Sequence, residues 1–146
     1  MKIRISLLAI VMAVGAANVR PAQAHHSFNM FDTRPEAEMV IEGVIKQWSL
    51  VNPHSWLTVT ATNADGTQTD WSFEAAAIAQ LIPKGITIQT YKPGEKVTVV
   101  AGPLKDGRKA GILKFVRHAD GHFTLPNDAG NIGQEALDRW KAKNSQ

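Results

Sequence analysis

No cysteine occurs anywhere in the 146 residues. That absence excludes disulfides, thiolate metal sites, a cysteine nucleophile and a lipid-bearing amino-terminal cysteine. It suits an oxidising compartment, where a lone thiol is a liability. The familiar catalytic signatures are missing too: there is no G-x-S-x-G, no phosphate-binding G-x-x-x-x-G-K, no G-x-G-x-x-G and no H-E-x-x-H. His54 beside Ser55 does not make a catalytic pair, because neighbours on a strand point to opposite faces. Neither an internal repeat nor a low-complexity tract is present.

A long apolar run is also lacking. The only sustained one, Ile5 to Ala17, has 13 residues, against about 20 for a membrane span. Lys2 and Arg4 precede it, and Ala22 and Ala24 supply the small residues of an A-x-A cleavage site. Residues 1–24 therefore read as a secretory signal peptide, with no stable membrane anchor left after its removal. A cut after Ala24 makes His25 the new amino terminus, and a cut after Ala17 is the rival. Processing also removes the charge imbalance. The precursor has 16 Lys and Arg against 13 Asp and Glu. Losing Lys2, Arg4 and Arg20 leaves 13 of each among 122 residues. A neutral exported chain gives no electrostatic motive for nucleic acid, and the expected location is periplasmic or secreted.

What is present is mostly β-strand chemistry. Residues 25–38 have no periodicity and read as an amino-terminal arm. Met39–Ser49 is β-branched with Gly43 inside it, the mark of a bulge or tight bend. Ser55–Thr62 alternates, Asp65-Gly66 signals a hairpin, and Thr67–Phe73 returns with Trp71 and Phe73 on one face. Glu74–Ile82 shows helical spacing that Pro83-Lys84-Gly85 stops. Ile86–Tyr91 reads as a short extended piece, followed by strands over Lys96–Ala101 and Lys109–His118. Three strands, a helix and two strands predict a mainly β fold. The expected form is a five-stranded OB-like barrel over residues 39–121 with one short helix between its third and fourth strands. A β-sandwich is the alternative. Residues 122–146 form a tail in which Leu137 and Trp140 dock one short helix.

Three constellations carry possible chemistry. A terminal His25 offers its α-amine and ring Nδ1 to one metal ion, and His26 adds an imidazole. Nitrogen donors of this kind favour copper among divalent ions. Asn52-Pro53-His54-Ser55 lies at a strand mouth, where His54 could complete that site. In the plainer reading Asn52 caps its own turn and His54 is half-buried packing. Glu74, between strand and helix, either favours the helix's positive end or orients His54 as the carboxylate partner of a ligating imidazole. The helix role is the simpler. His118 and His122 flank an Asp-Gly turn and read as solvated. Met30 and Met39 read as packing. A second class of function is a non-catalytic binding module, in which Trp48, Trp56 and Trp71 form an aromatic barrel face for a small ligand, a glycan or a partner protein. An exposed Trp56 among threonines would favour it.

Taken together, HHSFNMFD after the leader, E-G-V-I-K-x-W, NPHSW, W-S-F-E, Y-K-P-G-E-K-V-T-V and P-L-K-D-G-R resemble the bacterial exported family catalogued as domain of unknown function 6152. The likeness runs from His25 to about Gly121. It implies export and a compact β-rich domain, and it brings no activity. Ile86 stands where the pattern has tryptophan, and Glu95 where it has aspartate.

Overall fold

The computed structural model describes residues 28–127 and 131–145. Six strands make one continuous antiparallel ribbon that closes on itself. They are β1 (Met39–Ser49), β2 (Trp56–Thr62), β3 (Gln68–Glu74), β4 (Lys96–Pro103), β5 (Ala110–His118) and β6 (Phe123–Thr124). Their order is β3-β2-β1-β4-β5-β6, and a parallel pairing of β3 with β5 over Ser72–Glu74 and Ala110–Ile112 closes a five-stranded barrel. The OB-like barrel is thus observed, with β6 as a short addition on β5 beyond Gly121.

Closure depends on β1 serving two neighbours. Its first half, Met39–Val44, pairs with β4, and its second, Val44–Ser49, pairs with β2. The strand must coil between them, and Gly43 sits at the turning point. A Cβ there would lie 2.5 Å from the Thr60 carbonyl oxygen and 2.6 Å from Val59 Cγ1. The β2–β3 hairpin follows the alternation of its sequence. Leu57, Val59 and Phe73 point inward with no exposed surface, while Trp56, Thr58 and Thr60 pair with Glu74, Ser72 and Asp70 on the outer face. Gly66 takes φ 83° in the turn, as the Asp-Gly signal requires.

Trp48 lies in the core, its Nε1 donating to the Thr87 carbonyl at 3.0 Å and its ring edge-on to Tyr91. It therefore takes no part in an aromatic outer face. The helical stretch expected from Glu74 is shorter than its spacing suggests. Strand β3 runs through Glu74, and α1 covers only Ile78–Leu81 before a 3-10 turn over Ile82–Lys84. The amide of Ala75 donates to Ser55 O, and that of Ala76 to Pro126 O, so these alanines are buried by sheet-like pairing rather than by a helix face. Residues 86–91 form turns, not a strand.

Helix α2 (Ile132–Asn144) covers the outside of β4 and β5, with Ala136, Leu137 and Trp140 against Val100, Phe115 and Phe123. The arm lies beside it. Phe31 is buried with Leu104 and Ile112, and the amide of Asp32 donates to Pro103 O at 2.8 Å. Lys114, on the outer face of β5 and 1% exposed, ties arm to barrel by donating to Thr33 O at 2.8 Å and Glu38 Oε1 at 2.7 Å. Arg139 of α2 donates to the same Glu38 oxygen. Among the described residues no helix is long and apolar enough to cross a membrane.

Candidate metal-ligating recess

The loop between β1 and β2 is built from its own backbone needs. Ser55, fully buried, returns its hydroxyl to Val51, donating to the carbonyl at 3.2 Å and accepting from the amide at 3.3 Å. Its amide donates to Ala76 O at 3.2 Å, and Ala75 donates to its carbonyl at 2.8 Å, so the hairpin register continues past the ends of β2 and β3. Asn52, joined to Pro53 by a cis peptide bond, accepts from the amide of Ile78 at 3.2 Å. It caps α1 rather than its own turn, and its side chain is committed to the fold.

That continuation brings His54 beside Glu74. Nδ1 of His54 lies 3.0 Å from Glu74 Oε1, with the imidazole 40% exposed and the carboxylate 10%. Of the two roles open to Glu74 in the sequence, the fold realises the contact with His54; the helix it was expected to cap starts four residues later. A carboxylate accepts only, so Nδ1 carries the proton in the neutral ring and Nε2 keeps its lone pair. This is how a ligating imidazole is ordinarily oriented.

The pair lines a recess of about 230 Å³ whose wall also includes Phe28, Gln80 and Ile112. Phe28 is the first described residue, and the arm that follows it is fixed. Lys105 donates to Asn29 O through Nζ and to Met30 O through its amide, at 3.0 and 2.9 Å. His25 and His26 lie outside the described residues. Among the described residues, no three His, Asp or Glu side chains form a group that could hold a metal ion. His54 and Glu74 alone thus supply one nitrogen and one supporting carboxylate. Met30 is 47% exposed and Met39 packs against the core.

Trp56 is 37% exposed at one end of the outer β2–β3 face. The face continues through Thr58, Thr60 and Ser72, with Asp70 accepting from Thr60 Oγ1 at 2.6 Å and pairing with Lys46. Trp71 is half-buried, stacked on Phe73 with Lys109 over its ring.

The reading of His118 as solvated is corrected. Its side chain is 1% exposed, with Nδ1 2.7 Å from Glu95 Oε1. The Asp-Gly turn that suggested solvent folds His122 over it instead, ring centroids 3.9 Å apart. Only His122, paired with Asp120, stays at the surface.

Strand pairing and the helix position define the molecule as a small OB-like barrel. The model of the family of unknown function DUF6152 matches residues 13–114, and the chain belongs to that family. No curated protein matches it. Among solved structures, the crystal structure of yeast Stn1 and Ten1 is similar over 72% of this chain and 52% of that one, at 12% identity and a TM-score of 0.35. This chain thus spans about half the length of that neighbour.

Proposed function

We propose that the protein is exported and binds a transition metal, copper in the first place, through the α-amine and ring of His25, the ring of His26 and Nε2 of His54. Glu74 holds the His54 ring. The observation that carries the reading is the shared recess: Phe28 walls the same cavity as the His54–Glu74 pair. His26 is two residues before Phe28 and His25 three, which puts their Cα atoms within about 7 and 11 Å of Phe28 at full extension. Donors from the processed terminus are therefore within reach of His54. The nitrogen set suits Cu(II), highest in the divalent affinity order.

The test is a Cu(II) titration of protein whose first residue is confirmed as His25 by mass spectrometry. Affinity tighter than millimolar is expected. It should weaken in His54→Ala and in a form with one extra leading residue, which displaces the amine. Glu74→Gln should cost roughly 10–100-fold, as loss of an orienting partner does. Equal binding in all these forms, or export processing at another bond, overturns the reading.

A second reading rests on Trp56. An exposed indole next to threonine, serine and a charge-paired Asp70 offers a stacking surface and hydroxyl partners to a neutral glycan, without the cationic excess a polyanion needs. Oligosaccharide that quenches tryptophan fluorescence equally with and without a chelator, and fails to do so in Trp56→Ala, supports it. No quenching removes it.

A further inference from the structure

A second constellation lies away from the recess and makes no use of its donors. Glu95, His118, Thr124 and Tyr91 form one hydrogen-bonded row. The links are Glu95 Oε1 to His118 Nδ1 at 2.7 Å, His118 Nε2 to Thr124 Oγ1 at 3.2 Å, and Thr124 Oγ1 to Tyr91 OH at 2.7 Å.

The order of protons along the row follows from the groups. Glu95 only accepts, so Nδ1 of the neutral ring is protonated and Nε2 is an acceptor. The Thr124 hydroxyl must then donate to Nε2. Its oxygen receives the Tyr91 proton, which the phenol keeps because burial pushes its pKa up. Nucleophile, base and orienter thus stand in the sequence that activates a hydroxyl. The His118 ring cannot turn away, being stacked between Tyr91 (5.4 Å) and His122 (3.9 Å) with both interplanar angles at 10°. Glu95, His118 and Thr124 all line a cleft of about 600 Å³, with Lys92 on its wall, a size that suits a small substrate.

We propose that Thr124, His118 and Glu95 hydrolyse small carboxylic esters in this cleft. Thr124 Oγ1 bonds to the acyl carbon as its proton passes to His118 Nε2, and Glu95 stabilises the imidazolium. Lys92, on the cleft wall, adds positive charge to the site. The carbon–alkoxy bond breaks, and the alcohol leaves with the proton held on Nε2. Water, deprotonated by the same nitrogen, then attacks the Thr124 ester. The acid departs and the Thr124 hydroxyl regains its proton, so water is the only co-reactant.

The test uses the processed protein with chelator present, so that the His54 recess contributes nothing. Diisopropyl fluorophosphate should leave one adduct, mapped to Thr124 by peptide mass spectrometry. 4-Nitrophenyl acetate should give a burst of about one equivalent. Thr124→Ser keeps both, Thr124→Val loses both, and Glu95→Gln slows turnover roughly a hundredfold. Thr124 left unmodified in protein shown to be folded by near-UV circular dichroism overturns the proposal, as does Thr124→Val turning over ester like the parent. Should Thr124→Val fail to fold, the adduct map and Thr124→Ser still decide.

Discussion

Gly43 is the residue on which barrel closure turns. With an added Cβ 2.5 Å from the Thr60 carbonyl oxygen, no side-chain rotation relieves the contact, and β1 or β2 must move. Gly43→Ala is expected to cost about 1–3 kcal/mol, the range for overpacking a tight site. It should appear as a lower urea midpoint with an unchanged slope. Lys114 poses the opposite problem, a buried charge held by a carbonyl and a carboxylate. Removing its ammonium leaves the Thr33 carbonyl without its donor, and Glu38 with Arg139 alone. Breaking a buried pair costs about 3–5 kcal/mol. Lys114→Ala belongs at the low end, because Arg139 still compensates Glu38, and thermal melting of the variant checks it.

At the scale of elements, the arm is the piece whose docking the proposed metal site needs. Phe31 anchors it through Leu104 and Ile112, contacts more than seventy residues apart in the chain that leave no local trace in the sequence. Phe31→Ala should free the arm while the barrel, whose core is a separate cluster, stays folded. Limited cleavage after Glu36 by a glutamate-specific protease should then quicken, and copper affinity should fall although no ligand has been touched. The β2–β3 hairpin was legible because its signals are local: period-two alternation and an Asp-Gly turn. The pairing of His54 with Glu74 follows from that hairpin's register, so it too could be anticipated. The helix over Glu74–Ile82 was overread because buried alanines paired with Ser55 and Pro126 mimic helical spacing. His118 was missed because its burial is imposed by Tyr91 from another segment and by a turn whose composition signals solvent.

The whole molecule has a distinctive acid response written into its surface carboxylates. Hydrogen bonding from Arg34 lowers the pKa of Asp32 to about 2. Asp70 is lowered by hydrogen bonds from Lys46 and then Thr60, and Asp65 by those from Thr67. The backbone amides of Arg108 and His122, with their side chains, do the same for Asp106 and Asp120. A carboxylate whose folded pKa is depressed stabilises the fold fully above its unfolded value, about 3.9. That contribution is lost as pH falls through the folded value. These groups are spread over the arm, three turns and the outer barrel face, so they act on the melting of the molecule as a unit rather than on one site. The melting temperature should therefore decline progressively between about pH 4 and pH 2. Asp32→Asn removes the carboxylate lowered to about 2, and its profile should converge on that of the parent as pH approaches 2, with the parent the more stable near neutrality. Because the pairs are exposed, salt screens them, and the difference between parent and variant should shrink in 1 M sodium chloride. Parallel profiles at every pH would show that the Asp32–Arg34 pair contributes nothing to folding, whatever its geometry.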